Sequence, residues 1–525
     1  MNKYYKKKGY SQRGWLFIFV LSLLVSGCTD VWDNHYDPKG GQQTAEKTLW
    51  EEIASRSELA AFRAVLEKTG YDKVLNGDQM FTVFAPQGQL DVTGLTTEEM
   101  TSEIIENHVA RFAWSANNLL AVPQSVKMLN GKTGDFVMQG KEFSFSGVTL
   151  TEQNIHAKNG VLHVIGEQVP FFCNVWEYMD KDTVYSCIRD YLYSFDKVIL
   201  DEEASVAGAV VDGEITYVDS VVVNTNEMFY RIGFLNSEDS TYWMVLPTNG
   251  AWREAYRRVS DYYCYSKKNE QRDSLQRLYT QMALVNDLVF SRSVQRSPED
   301  SLLSTTGGVF FQPLRTLLTD YSGFDDGEPC SNGRVFPVDT LRYRPWESWQ
   351  RPIQVEAENT RGREYTLSEL YKRNLNASSE YYTKVADGSY IEMIPSSTSA
   401  NPTVTFSVPD VLSATYDIKV VFLPQSLSTD RTAAAAVLPN KIVCNLTTVD
   451  ANGKQVTEKT DALYTNPEVV DTVTILSGYH FETCNYEEES VTTKLKIQSQ
   501  VLSKERDEFS RTLLIDCVIF EPSKE

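Results

Sequence analysis

Phe81-Thr82-Val83-Phe84-Ala85-Pro86 and Asn159-Gly160-Val161-Leu162-His163-Val164-Ile165 decide how the first part of this chain folds. The first stretch is an apolar, β-branched and aromatic run stopped by a proline, which is the composition of a buried strand. In the second, Asn159-Gly160 stands between Ile155–Lys158 and Val161–Ile165, the two-residue signature of a β-hairpin. Upstream, Ser57 precedes Glu58 to Leu66, where Leu59, Phe62 and Leu66 fall at helical spacing, and Gly70 follows. This spacing predicts a serine-capped helix ahead of the strands, hence an α+β unit.

Three motifs stand in fixed order here: Phe81–Pro86, Glu106-Asn107-His108-Val109 and Asn159–Ile165. Together they resemble the signatures of fasciclin-like domains, over about Lys47 to Phe172. The resemblance implies an adhesion-type module and makes His108 a candidate partner contact; the plainer reading is a buried framework histidine. A second copy of the order follows. Tyr242-Trp243-Met244-Val245-Leu246-Pro247-Thr248 with Ala251-Trp252 resembles the first signature, and Ser331 to Asp339 resembles the closing strand. The histidine box is missing, Val285-Asn286-Asp287-Leu288-Val289-Phe290 being its nearest counterpart, and the segment from Asp196 to Glu238 is longer than usual.

Past the proline-bearing connector Arg342–Pro352 the pattern changes. Thr403–Val408, Tyr416–Phe422 and Thr492–Ile497 alternate with period two, and Leu513–Phe520 is a continuous apolar strand, so an antiparallel sandwich is expected. Val355-Glu356-Ala357-Glu358-Asn359, Gly388–Glu392, Thr415–Ile418 and Ile515–Phe520 are similar to the framework of galactose-binding-like jelly rolls, a fold that includes carbohydrate-binding modules. That resemblance implies a structural calcium site at Glu356 and Glu358, the alternative being a solvated strand edge. It also makes Tyr381, Tyr382 and Tyr390, with Asn401 as polar partner, the candidate sugar contacts.

The N-terminal residues bear on location. Lys3, Lys6, Lys7, Lys8 and Arg13 precede the apolar run Trp15–Val25, which is too short for a comfortable membrane span and fits a secretory signal. Leu24-Val25-Ser26-Gly27-Cys28 resembles the lipobox of bacterial lipoproteins, in which acylation of the cysteine gives a durable anchor. The acidic stretch after Cys28 is similar to an export tag for the outer face of the outer membrane. The expected order is therefore a signal at 1–27, a tether at 28–44, a fasciclin-like domain at 45–173 and a divergent one at 174–341. A linker at 342–352 and a sandwich at 353–525 complete it.

The formal charge is -21, and removal of the leader takes away five further basic residues. A chain this acidic does not suit nucleic acid, whose phosphates require Lys and Arg. Eight cysteines include Cys28, leaving an odd seven with no CxxC pair; Cys444 and Cys484 remain a possible disulfide. There is no GxSxG, HExxH or GxGxxG, and Asn130-Gly131-Lys132-Thr133 lacks the upstream glycine of a phosphate loop, so a hairpin turn is expected there. The sequence reads as a non-catalytic, lipid-anchored surface protein that binds glycan or protein. The competing readings are a structural subunit of an outer-membrane complex with protein partners only and, last, a carbohydrate-active enzyme. No cofactor is expected beyond the calcium.

Overall fold

The computed structural model describes residues 46–211, 214–430 and 436–524. Cys28 and the acidic tether lie outside them. The chain divides into two compact units, one ending at Phe171 and one beginning at Phe172.

In the first unit, Phe81–Pro86 lies between two partners. It pairs antiparallel with Val109–Arg111 and parallel with Gly160–Ile165, inside a seven-stranded sheet continued by Val148–Ala157, Glu142–Phe145, Thr133–Gln139 and Gln124–Lys127. Both faces of the strand are covered. Phe81, Val83 and Ala85 pack with Leu49, Phe62, Leu66 and Ile104, whereas Phe84 packs with Val126, Phe136 and Phe145. Double burial is why the run is continuously apolar rather than alternating. Asn130-Gly131-Lys132 falls in the turn between Gln124–Lys127 and Thr133–Gln139, the hairpin expected there.

Two local expectations shift. The helix begins at Ala60 rather than behind Ser57, because residues Ser57–Leu59 wind more tightly and the serine hydroxyl faces the Glu58 carboxylate. Gly70 ends it with φ 78°, as its position implies. The hairpin turn is Lys158-Asn159, one residue earlier than expected, and Gly160 already pairs with Ala157. Gly160 is needed in the strand itself: with φ 149°, a Cβ there would come within 1.9 Å of the Phe81 carbonyl oxygen. Asn159 is buried beside it. Its Oδ1 accepts from Leu49 N at 2.8 Å, and its Nδ2 donates to Leu75 O at 2.8 Å and Gly77 O at 2.7 Å.

The second unit repeats this node. Tyr242–Pro247 pairs antiparallel with Val289–Ser291 and parallel with Gly333–Val338. Gly333 has φ 149°, and a Cβ would meet Tyr242 O at 1.8 Å. Asn332 Oδ1 accepts from Val175 N at 2.8 Å, and Nδ2 donates to Leu235 O and Ser237 O. The missing histidine box is located as well. Val245 N donates to Leu288 O at 2.9 Å, as Phe84 N donates to His108 O at 2.9 Å, so Leu288 stands where His108 does and Asp287 where Asn107 does. The extra length is a two-stranded hairpin, Asp196–Val211 with Glu214–Asn226.

The C-terminal part is a sandwich of two six-stranded antiparallel sheets. One runs Ser368–Asn374, Ser389–Pro395, Leu513–Pro522, Thr415–Phe422, Asp471–His480, with Ile353–Glu356 also on Leu513–Pro522. The other runs Arg363–Thr366, Thr403–Ser407, Lys494–Ser499, Lys441–Val449, Gln455–Lys459, with Leu463–Tyr464 also on Lys441–Val449. Alternate residues such as Val404, Phe406, Leu495 and Ile497 fill the interior. Cys444 and Cys484 are both buried and form no disulfide. Among the described residues no helix is long and apolar enough to cross a membrane.

The connector is not a free linker. Glu347, Ser348 and Gln350 are buried, and Arg351 reaches the Asp287 carboxylate at 2.8 and 3.0 Å. Asp287, itself 1% exposed, also accepts from the hydroxyls of Ser304, Thr306 and Ser348 and from Gly308 N. Removing such a carboxylate strands every donor around it. Asp287→Ala is expected to cost about 3–5 kcal/mol in urea melts of the full chain; a loss below about 1 kcal/mol, the size of an exposed pair, would mean the network carries no tertiary load.

Candidate functional site

The residues chosen from sequence separate into buried framework and one acidic cluster. His108 is fully buried. Its Nε2 accepts from Val169 N at 2.9 Å, which leaves Nδ1 as the protonated nitrogen donating to Ile104 O at 2.6 Å. A partner cannot touch it, so the contact role falls and the framework role stands. Burial lowers its pKa to about 4, and that of buried His163 likewise to about 4. Both are neutral at pH 7.

The candidate sugar contacts do not converge. Tyr390 is 4% exposed and packs with Val385, Leu423 and Leu514, so its ring has no free face for a sugar. Asn401 Oδ1 accepts from Val501 N and Arg511 Nε, both at 3.2 Å, which ties it to another edge of the sandwich. Tyr381 is half-buried. Tyr382 is 39% exposed and lies over Gly388, where a Cβ would come within 2.5 Å of its ring. Of the three tyrosines, only Tyr381 and Tyr382 reach the surface.

The acidic pair behaves differently. Glu356 closes the strand Ile353–Glu356, in register with Cys517 on Leu513–Pro522, and Ala357 N donates to Asp516 O at 2.8 Å. That pairing sets Asp516 beside Glu356. Glu358 lies just past the strand rather than on its edge, and accepts from the Ser389 hydroxyl with Lys372 Nζ at 3.8 Å. Each carboxyl keeps one buried oxygen with no hydrogen-bond partner: Glu356 Oε2, Glu358 Oε2 and Asp516 Oδ1. Ligand atoms of Glu356, Asp516 and Cys517 lie within 4.8 Å of one another.

Burial, with the charges of Glu356 and Glu358 adding to it, raises the Asp516 pKa to about 7 although Ala386 N donates to it. Burial likewise raises Glu356, with Glu358 and Asp387 contributing. The Cys517 thiol is pushed up by burial and by Asp516, so it remains protonated and the donors are oxygens. Orphaned, mutually repelling carboxylate oxygens fit a hard divalent cation, which takes oxygen ligands and tolerates irregular geometry. A cavity of about 600 Å³ lined by Glu356, Asn359, Asp410 and Glu488 adjoins the cluster. Sequence reading did not select Asp516. Its signal was available: a lone carboxylate inside the apolar run Leu513–Phe520.

The family model described as the fasciclin domain matches residues 57–168. The first unit holds a fasciclin domain. Human (Homo sapiens) Stabilin-1 is 26% identical over 144 residues, which are 24% of this chain and 5% of that protein, so the match spans a small part of the relative. Among solved structures, a FAS1 domain pair from the insect cell adhesion molecule Fasciclin I aligns at 11% identity. It covers 57% of this chain and 97% of that one, with a TM-score of 0.19. The C-terminal family 22 carbohydrate binding module of Clostridium thermocellum Xyn10B aligns at 12% identity, covering 33% and 93%, with a TM-score of 0.21. At such scores the architecture rests on the strand pairing itself.

The two buried histidines make the first unit acid-sensitive. A histidine whose folded pKa lies below its unfolded value contributes stability above the unfolded pKa and loses it as pH falls through the folded one. Stability of the fasciclin domain is therefore expected to fall between about pH 6.5 and about pH 4. In chemical melts followed by Trp fluorescence, the His108→Gln, His163→Gln double variant should flatten that slope; an unchanged slope assigns it elsewhere.

Proposed function

We propose that this chain is a non-catalytic surface-binding protein, tethered through a lipid on Cys28, whose fasciclin-like repeats accompany a cation-stabilised sandwich that engages a glycan or matrix partner. The observation carrying this reading is the fasciclin domain at residues 57–168, a module whose resemblance implies adhesion. The acids of the sandwich support it, since Glu356, Glu358 and Asp516 crowd one spot rather than face each other across a cleft as hydrolysis of a glycosidic bond requires. A printed glycan array probed with the full chain, alongside palmitate labelling of cells producing Cys28 or Cys28→Ala protein, tests both halves. Binding to at least one glycan and label lost with Cys28 are expected. Binding to none removes the glycan version, and label retained without Cys28 removes the anchor.

A second reading, a subunit with protein partners only, is favoured by one feature. Ile199 and Leu200 pair with Val223 and Val222 toward the base of the hairpin, next to Val198 opposite Asn224, and all five apolar side chains are at least 36% exposed. A solitary monomer after mild extraction counts against it.

In the sandwich, Glu356, Glu358 and Asp516 would hold the calcium, neutralising oxygens that otherwise repel. Asp516, with its folded pKa raised, contributes stability below its unfolded pKa and loses it as pH rises toward about 7. In EDTA the chain is expected to lose stability from about pH 4 to about pH 7, and millimolar calcium should raise the melting temperature at pH 7. Asp516→Asn should abolish both effects; a calcium response that survives it places the ion elsewhere.

A further inference from the structure

A cavity of about 480 Å³ opens in the second unit where the divergent repeat, the connector and the sandwich meet. Arg258, Asp261 and Tyr262 come from the end of the helix Asn249–Ser260 and the turn after it, Trp346 and Gln350 from the connector, and His480 from the end of a sandwich strand. The site described above contains none of these residues. The walls are fixed before any ligand arrives. Ser413 N donates to Tyr262 O at 2.9 Å, Gln350 Nε2 to Thr415 O at 3.1 Å, and Arg258 Nη2 to Leu341 O at 2.6 Å. Tyr262 also packs edge-on against Trp349, ring centroids 5.7 Å apart.

The lining excludes several ligand classes. It is too polar for an acyl chain, and its one arginine already donates to Leu341 O and faces Glu254 at 4.0 Å, so it gives no phosphate cradle. What remains is an indole and a phenol with donors and acceptors around them. A sugar has that complement: an apolar C–H face for an aromatic ring and a rim of hydroxyls that both donate and accept. Arg258 can donate and Asp261 accept toward neighbouring hydroxyls. His480 is exposed, and with Nδ1 at 3.2 Å from Thr415 Oγ1 its Nε2 is the remaining ring nitrogen for a hydroxyl. The volume lies within the range of small-ligand pockets, and prior fixing of the walls lowers the ordering cost of binding.

We infer that this junction cavity binds the terminal one or two sugar units of a neutral glycan, with Trp346 as the stacking platform and His480, Arg258 and Asp261 as the polar rim. The inference rests on the glycan version of the function proposed above and names a place for it that Tyr381 and Tyr382 do not line. Affinity electrophoresis of the full chain in gels containing xylan, mixed-linkage β-glucan, galactomannan or pullulan tests it. At least one polysaccharide should retard the chain. Trp346→Ala and His480→Ala should each weaken that retardation at least about ten-fold, Trp346→Phe should keep it within about three-fold, and melting temperatures should stay unchanged. If Trp346→Ala melts early, His480→Ala and Trp346→Phe decide. Retardation untouched by the pocket variants overturns the cavity while leaving glycan binding in place; no retardation by any polysaccharide overturns both.

Discussion

Each α+β repeat turns on a place where one strand runs against the carbonyl of another with room for hydrogen only. Gly160 against Phe81 O, and Gly333 against Tyr242 O, permit the parallel pairing that joins the first strand of the repeat to its last. Any side chain would force those strands apart, and the apolar faces they present to both layers would lose their covering. The asparagine before each glycine completes the corner. Its amide ties backbone groups from elsewhere in the repeat, Leu49, Leu75 and Gly77 in one case and Val175, Leu235 and Ser237 in the other. A buried amide with three partners satisfies itself and its surroundings, so it costs little to enclose and orders much.

Where the repeats diverge, the divergence is used. Asn107 in the first is neutral and takes part in a local amide network with Asn130 and Val169. Its counterpart Asp287 carries charge into a site almost closed to water, which is tolerable only if donors surround it. Those donors come from its own repeat and from the connector, through Ser348 and Arg351. One change from amide to carboxylate thus recruits residues 342–352 into the fold. It accounts for a proline-bearing connector that packs rather than hanging free.

The sequence was legible wherever a pattern reflects burial on known faces. The doubly covered strand Phe81–Pro86 and the alternating sandwich strands could be read because a single residue type or period answers a single constraint, whereas the Asn159-Gly160 hairpin lies one residue away from its expected turn because both residues also serve the packing around Phe81 and Leu49. The missed features have several constraints acting at once. His108 carries a functional-looking side chain whose two nitrogens are both occupied by backbone. Tyr390 has a sugar-binding residue type on a strand of the expected sheet, yet Leu423 and Leu514 pack over it. Neither outcome depends on local sequence. The register that sets Asp516 beside Glu356 joins positions far apart in the chain, so the cluster became visible only when the strands were paired.

Asp287, Glu392 and Asp516, all buried in the second unit, are treated in opposite ways by their surroundings. Asp287 has Arg351 and four uncharged donors. Burial pushes Glu392 up, but the Thr429 hydroxyl and amide at 2.7 and 2.6 Å, Arg373 at 2.8 Å and Ser428 overcome it and hold its pKa below the ordinary value. Asp516 has one amide, a thiol and two neighbouring carboxylates, and its pKa rises instead. The chain's own groups thus surround Asp287 and Glu392, whereas Asp516 stays repelled by the neighbouring Glu356 and Glu358, and which way a buried acid shifts follows from the donors that the fold brings to it.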